Sequence, residues 1–270
     1  IKDFFRVCFS VTAKRFSNAD PAISVPVRLK TRDRFSDATN NKIIAKLKWL
    51  EESSPLQEFV KVSLANIERV AAANRQNRER MPASIISKDA RRLVSDNFEV
   101  PLVVTSPPYG SAQKYIRSSS ISLNWLSLIE PEKLTVLEDQ SIGREHAPKF
   151  RRVIPEGELP NSYEDVVGKI TKKNELRGFI TRQYLLEMKE ALTEIAKVTQ
   201  KNGHIVLVTG NNQVCNETLR NDEFIVTIMT SLGLNLELSL IDHIKSRGLM
   251  TKRNRTASVI SRESVLVFSK

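Results

Sequence analysis

The residues best suited to chemistry in this 270-residue chain are Ser106-Pro107-Pro108-Tyr109. A serine hydroxyl oxygen and the backbone carbonyl oxygen of Pro107 can together accept both hydrogens of an exocyclic amine on a flat ring. Such an amine is a poor nucleophile because its lone pair is delocalised into the ring. Two acceptors draw the nitrogen toward tetrahedral geometry and localise that pair for attack on a methyl donor. The prolines fix the backbone, so the carbonyl is aimed in advance, which is electrostatic preorganisation. Tyr109 offers an aromatic face on which a flipped-out base can stack. As a bare string, Ser-Pro-Pro-Tyr also suits an ordinary turn after a strand. Its surroundings favour the catalytic reading.

Those surroundings start with Val100-Pro101-Leu102-Val103-Val104, short, apolar and rich in β-branched residues, which reads as a buried strand. It runs straight into Thr105-Ser106-Pro107-Pro108-Tyr109-Gly110, where the prolines forbid further ladder pairing. A loop at the carboxyl end of a buried strand is the usual place for chemistry in an open α/β sheet. Upstream, Ser84-Ile85-Ile86-Ser87 reads as a short strand ending at Lys88-Asp89-Ala90-Arg91, and Tyr115 to Ile129 reads as a helix. Pro131 to Leu176 reads as loop-rich. Leu185, Met188, Leu192, Ile195 and Val198 form the stripe of an amphipathic helix stopping at Lys201-Asn202-Gly203, with Met188 as core filling. His204 to Gly210 is a second buried strand, 223–232 a helix, and 236–244 and 264–268 two closing strands that can pair antiparallel. Strands alternating with helices predict an α/β sheet with crossover helices.

The N-terminal part differs. Its first forty residues read as irregular. From about Asn41 the pattern turns helical, with Leu56, Val60, Leu64, Ile67 and Ala71 on one stripe, running out in the polar stretch before Pro82. Two regions follow: 1–82, irregular and helical, a possible DNA-contact or docking region; and 83–270, the catalytic region.

Thr105 to Tyr109 resembles the fourth conserved motif of S-adenosylmethionine-dependent amino-methyltransferases acting on cytosine N4 or adenine N6 of DNA. The Thr-Ser-Pro-Pro-Tyr form is similar to the cytosine-N4 branch; the adenine-N6 branch typically has Asp or Asn in the serine position. Tyr109 to Arg117 also looks like bacterial modification methylases, and Ile85 to Leu93 is similar to the family's third motif. The resemblance implies a Rossmann-like methyltransferase sheet, present in part behind an N-terminal helical segment. It implies S-adenosylmethionine as cofactor, DNA as partner and a cytoplasmic setting of bacterial or archaeal type. It makes Ser106, Pro107, Pro108 and Tyr109 catalytic and places Asp89, Ala90 and Thr105 beside the donor.

The family's glycine-rich donor loop is missing: none of the nine glycines forms a Gly-x-Gly at a strand-to-helix turn. In the implied motif order that loop would precede Ile1. A truncated chain, a separate polypeptide supplying the loop, and a degenerate relative all remain open.

The formal net charge of +11 suits a polyanionic partner, since each neutralised phosphate releases counterions. Its densest stretch carries Lys245, Arg247, Lys252, Arg253 and Arg255 with no acidic residue between them, which suits a phosphate backbone and base edges as well as a solvated hairpin tip. Arg144, Lys149, Arg151 and Arg152 form a weaker group. Cys8 and Cys215 stand far apart, and neither follows a proline, which sets aside a covalent cytosine-C5 mechanism. No apolar run approaches the roughly 20 residues of a membrane span. A non-catalytic DNA-binding subunit and, lower, an RNA methyltransferase are the competing readings.

Overall fold

The computed structural model describes residues 1–76, 81–93, 98–110, 114–144, 146–147, 157–244 and 260–270. They form two compact units, Ile1–Ala83 with Lys114–Leu137, and Ser84–Gln113 with Glu138–Lys270.

The first unit is helical: α1 (Lys2–Arg15), α2 (Asp37–Glu52), α3 (Pro55–Gln76) and α4 (Tyr115–Trp125). The opening residues are thus not irregular. Asp3 in the first turn and Lys14 and Arg15 in the last complement the dipole of α1. That helix changes which face of α3 is buried. Phe5 meets Phe59 at 6.2 Å, Asn66 Nδ2 approaches Cys8 Sγ at 3.5 Å, and Val62 and Ser63 are buried. The expected stripe of Leu56, Val60, Leu64 and Ile67 is left exposed, Leu56 to 71%. Ser36 caps α2, its Oγ accepting from the Thr39 amide at 3.3 Å.

The second unit is the predicted α/β structure. Its sheet has the order β1-β2-β6-β5, with β1 (Val100–Thr105), β2 (Thr199–Thr209), β5 (Asn235–His243) and β6 (Arg262–Ser269). β1 runs parallel to β2, and β6 pairs antiparallel with both β2 and β5. Its helices are α6 (Asn161–Lys173), α7 (Glu175–Val198) and α8 (Asn221–Ser231), while α5 (Leu134–Gln140) spans the boundary between the units at Leu137. The stretch 131–176, expected to be loop-rich, therefore holds all of α5 and α6. A hairpin of β3 (Asn212–Val214) and β4 (Glu217–Leu219) turns through Cys215 and Asn216, both at positive φ. Ser84 to Ser87 pairs with no strand among the described residues. The helix ending at Val198 stops earlier than predicted. Thr199 is already extended, and Asn202, not Gly203, takes the left-handed conformation (φ 62°) inside β2.

One face of the sheet carries the core. Ile205, Leu207, Leu266 and Phe268 point at Tyr184, Leu185, Met188 and Leu192 of α7 and at Phe224, Ile225 and Met229 of α8. The opposite face follows from the register, which aligns Leu102 with His204 and Ser269, and Val104 with Val206, Val267 and Leu238. Within this unit no described helix covers that face. Leu102 is 54% and Val104 66% exposed. Among the described residues the outer edge of β1 is also unpaired. No helix among them is long and apolar enough to cross a membrane.

Two glycines make the packing testable. A Cβ at Gly178 of α7 would fall 2.7 Å from the Thr171 Cα of α6, whereas one at Gly168 meets nothing within 4 Å. Gly178→Ala should therefore lower the unfolding free energy by about 1–3 kcal/mol through overpacking. Gly168→Ala should raise it by up to about 1 kcal/mol through helix propensity. Urea titrations of the two variants check the opposite signs.

Candidate active site

β1 ends at Thr105, paired to Leu207, and releases the loop 106–110 at the carboxyl end of the sheet. Ser106 is exposed, Pro107 and Pro108 are half-buried, and Tyr109 and Gly110 are buried. A buried loop without ladder partners must satisfy its carbonyls elsewhere. The Tyr184 hydroxyl of α7 donates to the Pro108 carbonyl at 3.0 Å, and Asn212 Nδ2 donates to the Gly110 carbonyl at 2.6 Å. Asn221 Nδ2 in turn donates to the Gly210 carbonyl at 2.7 Å and to Asn212 Oδ1 at 3.0 Å. A Cβ at Gly110 would fall 2.7 Å from the Tyr184 ring, so the loop rests directly on that side chain. Among the described residues none donates to the Pro107 carbonyl. Within the described residues, the exposed Ser106 hydroxyl and the Pro107 carbonyl are thus among the acceptors this loop offers.

Tyr109 departs from the expectation of an exposed stacking face. It is 8% exposed. A Cβ at Gly210 would meet its ring at 3.1 Å, so the missing side chain there lets the ring lie against the end of β2. Its hydroxyl donates to Glu263 Oε1 at 2.6 Å and stands 3.4 Å from Ser106 Oγ. The ring anchors the loop and is not open to a flipped base in this arrangement.

Asp222 fastens the frame behind the loop. Its carboxylate accepts from Asn211 Nδ2 at 2.8 Å and from Ser264 Oγ at 3.1 Å, joining the end of β2 to β6. Burial alone would raise this carboxyl. The bonds from Asn211 and the Glu223 amide, the Arg220 charge and the Ser264 bond outweigh burial and hold it below the usual carboxylate range.

Asp89 is held by Arg91, whose guanidinium grips both carboxylate oxygens at 2.8–3.2 Å and lowers the carboxyl below its ordinary value. Arg91 also pairs at 3.1 Å with Glu187 of α7, which is 4% exposed. Arg144 NH2 and Gln183 Nε2 donate to the same Glu187 Oε1 at 3.0 and 2.9 Å. Arg144, read as part of a basic DNA-facing group, is instead spent on this buried carboxylate. The Asp89–Arg91 segment and the loop are thus tied to neighbouring turns of one helix, through Glu187 and Tyr184. No hydrogen bond among the described residues joins Asp89 or the exposed Ala90 to the loop itself. The sites expected at Lys245, Arg247, Lys252, Arg253 and Arg255, and at Lys149, Arg151 and Arg152, lie outside the described residues.

Sequence reasoning missed Tyr184, Asn212, Asn221, Asp222 and Glu263. Gly210-Asn211-Asn212 directly after a buried strand was the available signal, since Asn side chains commonly satisfy irregular backbone.

No protein-family model matches the sequence. No curated protein matches it. Solved structures that resemble it include TTHA0409 of Thermus thermophilus, described as a "Putative DNA Modification Methylase", and the same protein complexed with S-adenosyl-L-methionine. Identity is 20% with each, over 67% of this chain and 51% and 53% of theirs, with TM-scores of 0.31 and 0.33. The chain thus spans about half the length of these proteins. The fold rests on the strand order and register above.

The lowered Asp222 carboxyl fixes the sign of an acid effect. A folded-state value below the unfolded one, about 3.9, stabilises the protein above that pH, and the gain is lost as pH falls through the folded value. Asp222→Asn should therefore weaken the fold at pH 7 and flatten its further loss of stability below about pH 4. Urea titrations at both pH values, with the unaltered protein alongside, check this.

Proposed function

We propose that the chain carries the catalytic loop of an S-adenosylmethionine-dependent DNA amino-methyltransferase, with cytosine N4 as the favoured target. The observation that carries this reading is the division of labour in loop 106–110. The Pro108 and Gly110 carbonyls are clamped, while among the described residues none donates to the Pro107 carbonyl beside the exposed Ser106 hydroxyl at the end of β1. Such a pair suits the two hydrogens of a base amine and has little use in a plain turn. Serine in place of Asp or Asn favours cytosine N4, and adenine N6 uses the same geometry.

The donor would supply an electrophilic methyl group on a sulfonium. The residues present do not make a complete cradle for it. No glycine-rich turn follows a strand, and the Asp89 carboxylate is engaged by Arg91. We therefore assign the rest of the donor site to polypeptide beyond these residues, preceding them or on a partner chain. Two observations support that assignment: among the described residues the outer edge of β1 is unpaired, and Leu102 and Val104 are exposed. A further strand parallel to β1 would end on the same side as Ser106, bringing its own loop beside the acceptors. The engaged Asp89 and the missing glycine turn also support a second reading, a non-catalytic DNA-binding relative of such enzymes.

DNA incubated with the full-length protein and S-adenosylmethionine, digested and analysed by mass spectrometry, should contain N4-methyldeoxycytidine. Ser106→Ala should abolish it without moving the melting temperature, because Ser106 is exposed. N6-methyldeoxyadenosine would move the target to adenine, and no methylated base would overturn the enzyme. Replacing Arg253 and Arg255 together by Ala should reduce the salt slope of DNA binding by about two. Anisotropy titrations over a salt series measure it, and an unchanged slope removes that segment from the interface.

A further inference from the structure

The Tyr109 phenol has one hydrogen, and it is committed to Glu263 Oε1 at 2.6 Å, the length of a charge-assisted bond. Toward Ser106 the phenol oxygen therefore presents lone pairs. In the 3.4 Å contact between them, Ser106 must be the donor. Its own lone pairs are then available on the exposed side of the loop. That contact is longer than the roughly 2.7–2.8 Å of an ordinary hydroxyl bond. Catalytic hydrogen bonds are often long without substrate and tighten in the complex.

The direction of this chain matters for an amine. A Ser106 hydroxyl pointing its hydrogen outward would oppose an incoming N–H and favour a ring nitrogen or carbonyl instead. A Ser106 hydroxyl that donates inward accepts the N–H. We propose that Glu263 is a positioning residue for methyl transfer: through Tyr109 it fixes the Ser106 hydroxyl as an acceptor for the target amine. This role rests on the methyltransferase reading and adds to it a residue from the far end of the chain. Glu263 is well placed to hold a direction. It sits on β6 opposite Asp242 of β5, and the next residue, Ser264, is bonded to Asp222.

The test is single-turnover methyl transfer by the full-length protein, with DNA KM, donor affinity and melting temperature measured alongside. Tyr109→Phe and Glu263→Ala should each slow transfer roughly ten- to a hundredfold, the size typical for groups that orient a reactive residue. KM and donor affinity should stay within about twofold, because the loss falls on the transition state. Glu263→Gln keeps an acceptor oxygen and should recover part of the rate. The double variant Tyr109→Phe/Glu263→Ala should be no slower than either single one, since both break the same chain. Losses that multiply, or that follow a fall in melting temperature, would overturn the role. An active protein indifferent to Glu263→Ala would overturn the role alone. An unaltered protein that transfers no methyl group would overturn the function beneath it.

Discussion

The structure around the candidate site depends on where the backbone of loop 106–110 finds its hydrogen bonds. Two consecutive prolines end the ladder of β1, yet the loop turns into the protein and buries Tyr109 and Gly110. Leaving a buried carbonyl unpaired costs about 1–3 kcal/mol. Tyr184 and Asn212 meet that demand from two separate elements, and Asn221 holds Asn212 in place. Everything that must be rigid for an acceptor pair to be preorganised follows from those side chains. α7 has to pack on the sheet for Tyr184 to reach Pro108, and the turn after β2 has to close for Asn212 to reach Gly110.

The same arrangement explains the unequal treatment of the two sheet faces. α7 and α8 bury Ile205, Leu207, Leu266 and Phe268, and this packing anchors the frame. The opposite face, with Leu102 and Val104, lies beneath the exposed side of β1. An apolar face and a parallel edge unpaired among the described residues are costly to leave in water.

Much of this was legible in the sequence, and the failures have physical reasons. The α/β alternation, the two closing antiparallel strands and the strand–loop unit at Ser106 are local patterns, carried by short apolar runs and two prolines. The stripe of α7 was legible because Leu185, Met188 and Leu192 repeat at helical spacing. The role of Tyr184 beside them was not legible, since nothing local shows a hydroxyl reaching a carbonyl 76 residues away. Glu263 is further still, 154 residues from Tyr109. The exposed stripe of α3 failed differently. Its pattern was present, but α1, taken as irregular, packs on another face. Tyr109 was read from its ring alone, and its burial was set by Gly210, whose missing side chain makes the room.

The central claim is an acceptor loop assembled in advance beside a donor site that these residues do not complete. Calorimetric titration with S-adenosylmethionine tests it most directly, on the 270 residues alone and on the protein with the polypeptide that precedes or accompanies them. The account predicts binding only in the second case. Equal binding to the 270 residues alone would contradict the incomplete donor site, and no binding in either would contradict the methyltransferase.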